Sequence, residues 1–246
     1  MCGRLRLPND WSDIKIKLRL DDIPAPNLLP SWNIAPTQDV LVVLRDPSNG
    51  VRLAEKMRWG LIPSTARDSK FSFTTFNARS ETIDTTPAFR DAWRSARRCL
   101  VVSDGFYEWR KRKGGDKQPF AIARADGGLT VLAGLWDEWR SRDNGEIIRS
   151  CTVTTCPPNE LIDPLHDRMP VILAEDDWPA WLGEASATLA ELKALLRPYP
   201  SDKMKLWPVG KAVGNWRNDG PHLVEPIILD QLGLNTTALN DPQMAA

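Results

Sequence analysis

Residues 99–136 read CLVVSDGFYEWRKRKGGDKQPFAIARADGGLTVLAGLW, and this stretch decides the fold class. Its apolar segments have the length and the β-branched or aromatic content of strands. They cover residues 99–102, 106–109, 119–124 and 130–136. The intervening segments favour bends and hairpin turns because they hold Asp104-Gly105, a basic tip at 110–115 and Asp126-Gly127-Gly128. Strands joined by turns this short predict a largely antiparallel sheet.

The segments on either side add more strands and a few helices. Apolar runs predict strands at 40–45, 51–59, 149–155, 171–173 and 205–209. Helical spacing of apolar residues predicts helices at 87–95, 175–182 and 187–196. Residues 9–20 fit both helical spacing and strand alternation, and a cap at Asn9 or Asp10 favours the helix. We therefore expect a single α+β domain, a curved, mostly antiparallel sheet or barrel with peripheral helices.

Charge and hydropathy exclude several classes of protein. The 246 residues carry a formal net charge of +0, so an anionic partner has to be met by a local basic patch. No long uncharged apolar run is present, and we expect no membrane contact. Arg4, Arg6, Asp10 and Asp13 interrupt any secretory hydrophobic segment at the start of the chain. These features predict a cytoplasmic protein.

The cysteines and histidines are few and widely spaced. The cysteines are Cys2, Cys99, Cys151 and Cys156, and the histidines are His166 and His222. No two cysteines have the Cys-x2-Cys spacing of zinc sites, so we expect no metal. A reduced cytoplasmic environment also argues against disulfides.

Cys2 has an unusual place in the chain because it follows the initiator methionine and precedes Gly3. Removal of Met1 would leave a residue with an α-amine and a thiol two carbons apart. The amine has a pKa of about 7.7–8.0, so part of it is uncharged at neutral pH. Such a pair can condense with an aldehyde to an imine and close a thiazolidine ring, or act as an N-terminal nucleophile that carries its own base. The tetrapeptide alone is also compatible with an unprocessed terminus and a buried cysteine.

Three other polar residues are candidates for chemistry. Glu108 lies in an apolar strand, where a carboxylate is seldom left unpaired. It either takes part in chemistry or forms a structural ion pair with a nearby arginine. His166 is flanked by Asp167 and Arg168 and is compatible with acid–base work or with capping a turn. Asn77 follows Phe76 and fits a turn as well as a site.

A series of short motifs follows in a fixed order along nearly the whole chain. They are Cys2-Gly3-Arg4, Asn33-Ile34-Ala35-Pro36, Arg58-Trp59-Gly60-Leu61-Ile62-Pro63, Asn77-Ala78-Arg79-Ser80-Glu81-Thr82, Gly105-Phe106-Tyr107-Glu108-Trp109, Ala133-Gly134-Leu135-Trp136, His166-Asp167-Arg168-Met169-Pro170, Val213-Gly214-Asn215 and Glu225-Pro226. In this order they resemble the SRAP family, the SOS-response-associated peptidase domain that shields abasic sites in DNA. The resemblance implies one SRAP domain at 1–230. We expect residues 231–246 to form a mobile tail, as chain termini commonly do.

The resemblance implies a role for each of four matching residues. Cys2 looks like the covalent residue, whose amine attacks the aldehyde of a ring-opened abasic sugar and whose thiol closes a thiazolidine. Asn77 matches the residue that holds the reacting terminus or sugar. Glu108 matches the carboxylate beside the Cys2 amine, and His166 the general acid/base near the sugar. A carboxylate and an imidazole suffice for the proton transfers of imine formation, so we expect neither metal nor organic cofactor.

The partner implied by the resemblance is single-stranded DNA that contains abasic sites, bound by a monomer. Cationic and aromatic side chains are the general equipment for binding such strands. The expected contacts are Arg4, Asn33, Pro36, Arg58, Trp59, Arg79 and Thr82. Arg94, Arg97 and Arg98 are a possible extension of this surface, whereas the basic run Arg110–Lys113 fits a solvated hairpin tip.

One position departs from the family pattern. Many members carry aromatic residues directly after the Trp-Gly-x-x-Pro segment, wedged where the DNA strand turns. This chain has Ser64-Thr65-Ala66-Arg67 there. We therefore expect this protein to separate DNA strands less well, unless Ile62 or Arg67 takes the place of the aromatic residues.

The same residues leave three functions open. The leading one is a single-turnover, DNA-crosslinking shield in the damage response, with Schiff-base chemistry like that of a lyase. The second is a cysteine-type hydrolase that cleaves peptides or only its own Met1, because Cys2, Glu108 and His166 would serve that reaction too. The third is a non-covalent DNA-binding module in which Cys2 is structural.

Overall fold

The computed structural model describes residues 2–8, 10–20, 26–27, 29–46, 48–111, 115 and 117–228, which form twelve β-strands and four short α-helices. The strands are β1 (Leu5–Leu7), β2 (Ser31–Ile34), β3 (Asp39–Arg45), β4 (Arg52–Trp59), β5 (Asn77–Arg79), β6 (Arg98–Ser103), β7 (Gly105–Lys111), β8 (Lys117–Arg124), β9 (Thr130–Arg140), β10 (Ile147–Cys156), β11 (Met169–Pro170) and β12 (Met204–Pro208). The helices are α1 (Trp11–Lys17), α2 (Arg90–Arg94), α3 (Trp178–Leu182) and α4 (Leu189–Ala194). The expectations for Met1 and for the tail 231–246 concern residues outside this description.

Five strands close into a barrel in the order β10-β4-β3-β6-β9, and β9 pairs again with β10. The predicted hairpin of β3 and β4 is confirmed, with pairs from Asp39↔Arg58 to Arg45↔Arg52. The one parallel pairing inside the barrel joins β10 to β4. Closure leaves the barrel strands without free edges, which suits them to act as a rigid scaffold.

The remaining long strands form a second, antiparallel sheet in the order β12-β8-β7-β1-β2. The chain leaves the barrel between β6 and β7, where the backbone N–H of Asp104 bonds the carbonyl of Arg6 at 3.0 Å. It returns to the barrel between β8 and β9. The predicted run of strands at 99–136 therefore divides between two sheets. The turns at Asp104-Gly105 and at Asp126-Gly127-Gly128 pass from one sheet to the other, whereas β7 and β8 pair as a hairpin.

The core lies inside the barrel and between the two sheets. Its largest fully buried side chains include Trp59, Trp181, Tyr107 and Phe106. Strand β3 buries five consecutive residues, Val40–Leu44, each no more than 2% exposed. A strand that is buried on both faces shows such a continuous apolar run instead of alternation.

The helices are shorter than the sequence predicts. Helix α1 starts at the predicted cap, where the Asp10 carboxylate accepts a hydrogen bond from the Ser12 N–H. The predicted helix at 175–182 opens with a 3-10 turn, Glu175–Asp177, and becomes α-helical at Trp178. The strand predicted at 171–173 forms two residues earlier, as β11, and residues 171–173 continue with backbone bonds to β9 and β10.

Taken together these elements confirm an α+β single domain with a barrel, a curved antiparallel sheet and peripheral helices. Within the described part of the chain, no helix is both long enough and apolar enough to cross a membrane.

Candidate active site

Cys2 lies at the seam between the two sheets, directly before β1. Its side chain is completely buried. Asn77 reaches it from the barrel side, because β5 runs parallel to β10 with Asn77 opposite Val153. The Asn77 side-chain amide donates to the Cys2 carbonyl at 2.6 Å. The Asn77 Oδ1 atom is buried and accepts no hydrogen bond from the described residues, so it has an unused acceptor beside the chain terminus.

Glu108 comes from the opposite side, on β7. Antiparallel pairing of β1 with β7 places Leu5 opposite Phe106, and the Tyr107 N–H bonds the Arg4 carbonyl at 3.0 Å. Continuing this register toward the terminus places Glu108 opposite Gly3, next to Cys2, whose thiol feels its charge. The Glu108 side chain is only 3% exposed, and this burial raises its pKa to about 7 against the pull of the positively charged chain terminus. A carboxyl group with such a pKa can both take and return a proton at neutral pH.

The Cys2 thiol is held in its neutral form. Burial raises its pKa well above the ordinary range, and the negative charge of Glu108 raises it further. A thiolate is therefore scarce in the resting site, which removes the usual starting point of thiol attack. Any nucleophilic thiol has to be generated later, by transfer of its proton to a neighbouring base.

His166 is delivered by the turn that follows β10. The backbone N–H of His166 donates to the Ile162 carbonyl at 3.0 Å. Asn159 fixes the turn, because its Oδ1 accepts a 3.0 Å hydrogen bond from the Ile162 backbone N–H. The imidazole is half-buried. Burial lowers its pKa, and the positive chain terminus acts in the same direction. His166 is thus neutral at pH 7.

Two contacts at the His166 Nδ1 favour opposite tautomers. The Arg168 backbone N–H donates to Nδ1 at 3.0 Å, whereas the Asp167 carboxylate, 2.7 Å away, needs a proton on it. The Asp167 side chain is 86% exposed and screened by water, and the lowered pKa disfavours the protonated ring that would suit it. In either neutral tautomer one ring nitrogen can accept a proton and the other can give one, as acid–base catalysis needs.

An open cleft of about 740 Å³ gives access to this region. Glu108 and His166 line it together with Arg4, Trp109, Lys111 and Lys117. Cys2 and Asn77 are not part of its lining and connect to it through Glu108. The structure thus brings the four predicted residues to one place, with two on the cleft wall and two behind it.

Two of the predicted DNA contacts are used inside the protein. The Arg4 guanidinium donates through one nitrogen to the Asn33 Oδ1 and to the Val213 carbonyl, both at 2.7 Å. It also lies 5.7 Å from the centre of the Trp109 ring. Asn33 is 2% exposed, and its amide nitrogen bonds the carbonyls of Asn215 and Asn218. This network ties the terminus to the Val213-Gly214-Asn215 motif.

The other predicted contacts differ in exposure. Trp59 is fully buried, with its indole N–H bonded to the Phe76 carbonyl at 2.8 Å. Arg58 and Pro36 are half-buried. Arg79 and Thr82 are exposed, at and just after the end of β5, which also carries Asn77. Of the predicted contacts, these two are nearest in sequence to Asn77, and their exposed side chains are accessible to a DNA strand.

No sequence pattern singles out Phe71 and Phe73, which are 44% and 61% exposed on a 3-10 helix at Ser69–Phe73. Gly60 fixes this segment, because a Cβ there would stand 2.2 Å from the Ser72 carbonyl oxygen. Arg58 also contacts it, through a 3.2 Å bond from Nε to the Ser72 Oγ. The chain thus lacks aromatic residues directly after Pro63 but has two exposed ones eight and ten residues after it.

Arg168 is a second residue whose role the sequence does not reveal. Its guanidinium forms a two-pronged pair with Glu81, at 2.5 and 2.8 Å, and bonds the Thr155 carbonyl at 2.6 Å. This pair joins the His166 motif to the Asn77 motif and lowers the pKa of Glu81 to about 2. Across the described residues, no three His, Cys, Asp or Glu side chains converge as metal ligands would.

Comparison with known proteins places these features in a family context. Residues 1–216 match the SOS response associated peptidase (SRAP) family. Abasic site processing protein YoqW of Bacillus subtilis (strain 168) is 38% identical over 92% of this chain and 99% of its own. Abasic site processing protein HMCES of Xenopus tropicalis is 32% identical over 82% of this chain and 68% of its own.

Solved structures show the same fold. A protein from Bordetella bronchiseptica superposes with a TM-score of 0.73 at 29% identity, covering 85% of this chain and all of its own. A protein from Bacteroides thetaiotaomicron superposes with a TM-score of 0.79 at 24% identity, covering 92% of this chain, which supports the fold alone.

Proposed function

Because this chain belongs to the SOS response associated peptidase family, we propose that it processes abasic sites in DNA by forming a covalent protein–DNA crosslink. Its relatives YoqW and HMCES are both named abasic site processing proteins. The substrate is single-stranded DNA with an abasic site, and the place of action is damaged DNA in the cytoplasm or nucleoid. No metal or organic cofactor enters the reaction that we propose.

The first step joins the Cys2 α-amine, released by removal of Met1, to the aldehyde of the ring-opened sugar. Glu108 takes a proton from the ammonium group, and the free amine adds to the aldehyde carbon. The neutral His166 ring takes a second proton from the nitrogen and, as the imidazolium, gives it to the oxygen. The proton held by Glu108 then allows this oxygen to leave as water, which yields a protonated imine. A carboxyl with a pKa of about 7 beside a neutral imidazole supplies both halves of this proton transfer.

The second step closes the ring. The Cys2 thiol gives its proton to the Glu108 carboxylate, and the sulfur adds to the imine carbon. The carbon–sulfur bond replaces one bond of the C=N double bond, whose electron pair returns to the nitrogen, which already carries its proton. Only the neutral thiol is needed at the start, which agrees with the burial that raises its pKa.

Asn77 positions the reacting residue. Its amide nitrogen holds the Cys2 carbonyl at 2.6 Å, and its Oδ1 is a buried acceptor with no partner among the described residues. The Cys2 α-amine is a donor that would satisfy this oxygen after Met1 is removed. A buried oxygen that accepts a hydrogen bond in the processed chain destabilises the fold less than one that accepts none.

The observation that carries the proposal is the meeting of Asn77, Glu108 and a neutral, buried thiol at the second residue of the chain. A peptidase would instead need a thiolate or a base that ionises the thiol before attack. The raised pKa of the Cys2 thiol favours the route in which the amine reacts first.

For the DNA strand we propose a path over Arg79, Thr82 and the aromatic pair Phe71 and Phe73, with Arg4, Asn33 and Trp59 supporting the groove from within. Phe73, the more exposed of the pair, would stack on a base and take the part of the aromatic residues absent after Pro63. Stacking contributes about 1–3 kcal/mol per base, so Phe73→Ala should weaken binding of undamaged single strands roughly tenfold. Leu189→Ala, at a residue 53% exposed on α4, is the matched control and should change nothing. Equal affinities for the two variants in fluorescence anisotropy would remove Phe73 from the path.

The test of the proposed reaction compares wild-type protein with Cys2→Ser on an oligonucleotide with one abasic site. Wild type should give a heat-stable adduct on a denaturing gel. Cys2→Ser should bind the DNA with unchanged affinity and give at most an imine that borohydride traps, because a hydroxyl closes the ring poorly. A heat-stable adduct with Cys2→Ser would exclude the thiazolidine. Turnover of a peptide without any adduct would favour the peptidase, and a salt-sensitive gel shift without adduct would favour non-covalent binding.

A further inference from the structure

Arg97 and Arg98 open onto a second cavity, on a part of the barrel that takes no part in the proposed reaction. The cavity has a volume of about 540 Å³. Its lining includes Arg45, Arg97, Arg98, Trp136, Ser95 and Ser186. None of its described lining residues also lines the cleft at Glu108 and His166. It is therefore a separate site.

Arg98 is the most informative residue of this cavity. It is only 8% exposed, and its Nε donates to the Trp181 carbonyl at 2.7 Å. Its two terminal nitrogens have no hydrogen bond or ion pair with the described residues, and burial lowers the pKa of the guanidinium. A buried cation without a counter-ion is costly, and proteins seldom leave one unpaired. One wall beside it is a glycine, Gly183, where a Cβ would come within 3.8 Å of Nη2.

The charge around Arg98 has one sign. Arg45 and Arg97 line the same cavity, and the described lining residues include no Asp or Glu. Arg97 is held by an ion pair with Asp137, and its guanidinium lies 5.9 Å from the centre of the Trp136 ring. Arg45 is exposed and forms no ion pair with the described residues. The hydroxyl groups of Ser95 and Ser186 add neutral donors.

We propose that this cavity binds a phosphate group. Guanidinium groups match the oxygens of phosphate with paired N–H donors, and Arg98 presents two unused nitrogens to the cavity. Trp136 does not indicate a nucleobase, because Arg97 and Arg149 already lie 5.9 and 5.3 Å from its ring centre. The phosphate comes either from a small phosphate compound or from the backbone of a nucleic-acid strand, and the recognition chemistry is the same.

The position of the cavity makes the second source testable. Arg45 ends β3, whereas Arg58 pairs with Asp39 at the start of that strand. At about 3.3 Å per residue the two ends lie roughly 20 Å apart. A strand that occupies both sites must therefore be longer than one that fills the Cys2 cleft alone.

The experiment measures binding of inorganic pyrophosphate by calorimetry at constant ionic strength, with the full chain. Wild type and Arg140→Ala, an exposed arginine at the end of β9, should bind alike. Arg98→Gln and Arg45→Ala should lose at least tenfold in affinity. Arg98→Lys should recover only part of the loss, because it restores the charge without the paired donors. If Arg98→Gln fails to fold, the surface variant Arg45→Ala decides.

Undamaged single-stranded oligonucleotides, one short and one long, distinguish the two sources. Arg45→Ala should weaken only the long one if a strand reaches the cavity, and pyrophosphate should then compete with it. Unchanged DNA affinity together with lost pyrophosphate binding assigns the site to a small phosphate compound. Absence of pyrophosphate binding, or equal binding by all variants, would overturn the proposal and leave Arg98 as a support for the Trp181 carbonyl. No abasic DNA is used, so the result is independent of the crosslinking reaction.

Discussion

Strand β3 of the barrel and the strands of the second sheet around Cys2 bury very different side chains. Strand β3 of the barrel buries five aliphatic residues in a row, Val40–Leu44. Strands β1, β2 and β7 of the second sheet bury Arg6, Asn33 and Glu108. Aliphatic burial stabilises by about 25 cal/mol per Å², whereas a buried charge costs stability unless it is compensated. The difference indicates that β3 supports the fold and that the second sheet supplies the charged and polar groups around Cys2. The buried ionic groups of the barrel, Arg98 and Asp137, lie on β6 and β9.

The reacting groups stand where these two regions meet. Asn77 belongs to the barrel side, through β5 and β10, and Glu108 to the second sheet. Between them, Cys2 receives a hydrogen bond from Asn77 and the electrostatic influence of Glu108. A rigid closed barrel on one side allows the other side to keep groups with shifted pKa values, as functional sites often do.

The largest effect is expected from His166 at the seam. Without an imidazole to carry protons from the nitrogen to the oxygen, His166→Ala should slow crosslink formation about 10²–10⁴-fold, the usual contribution of general acid–base catalysis. Release of a preformed crosslink should slow as well, because reversal uses the same proton transfer. Formation and chase with competitor abasic DNA are followed over about pH 5–8. Wild-type rates in both directions throughout that range would make His166 structural.

The barrel should respond in the opposite way. Leu100 is fully buried on β6, opposite Val43 of β3. Leu100→Ala leaves a cavity and should lower the free energy of unfolding by about 2–5 kcal/mol. At a temperature where the variant stays folded, its crosslinking rate should equal that of wild type. Circular dichroism confirms that Leu100→Ala is folded. A large loss of crosslinking rate in the folded variant would contradict the separate roles of the barrel and the site.

Glu108 allows the two regions to be compared through stability. Its pKa rises from an ordinary 4.5 to about 7 in the folded chain, so its ionisation destabilises the fold as pH rises between these values. Glu108→Gln cannot ionise and should therefore be more stable than wild type by on the order of 1–3 kcal/mol at about pH 8, with the gain vanishing near pH 4. Denaturant unfolding across pH measures this, while the crosslinking rate falls. A stability difference independent of pH would mean that the Glu108 pKa is ordinary.

Arg79 and Arg4 give the smallest and most specific contrast. Arg79 is exposed and should contact a phosphate, so Arg79→Ala should weaken binding of all single strands and reduce the salt slope by about one. Arg4 is tied to Asn33 and Val213, so Arg4→Ala should mainly lower stability, by about 1–3 kcal/mol. Equal loss of salt slope in both variants, with unchanged melting of Arg4→Ala, would return Arg4 to the phosphate contacts that the sequence predicts.

Local patterns predict the longer strands and the α+β class, because each depends on neighbours in the chain. The hairpin of β3 and β4 and the cap at Asp10 are examples. Local patterns do not predict the short strands β1, β2 and β5, and the site residues follow from the order of the motifs through the family resemblance. Pairing of β5 with β10 and the bond from Asn77 to Cys2 join residues 75 or more positions apart, which no local pattern encodes. The same holds for Arg4 and Asn33, whose motifs suggest DNA but whose side chains are bonded internally.

Intact-mass spectrometry of the purified protein, before and after reaction with abasic DNA, tests the central claim most directly. We expect the free protein to lack Met1. The adduct should then weigh as much as this processed chain plus the oligonucleotide, less one water, because imine formation releases water and ring closure releases nothing. Fully retained Met1 in protein that still forms the adduct would contradict the claim, because Cys2 would then have no α-amine to react.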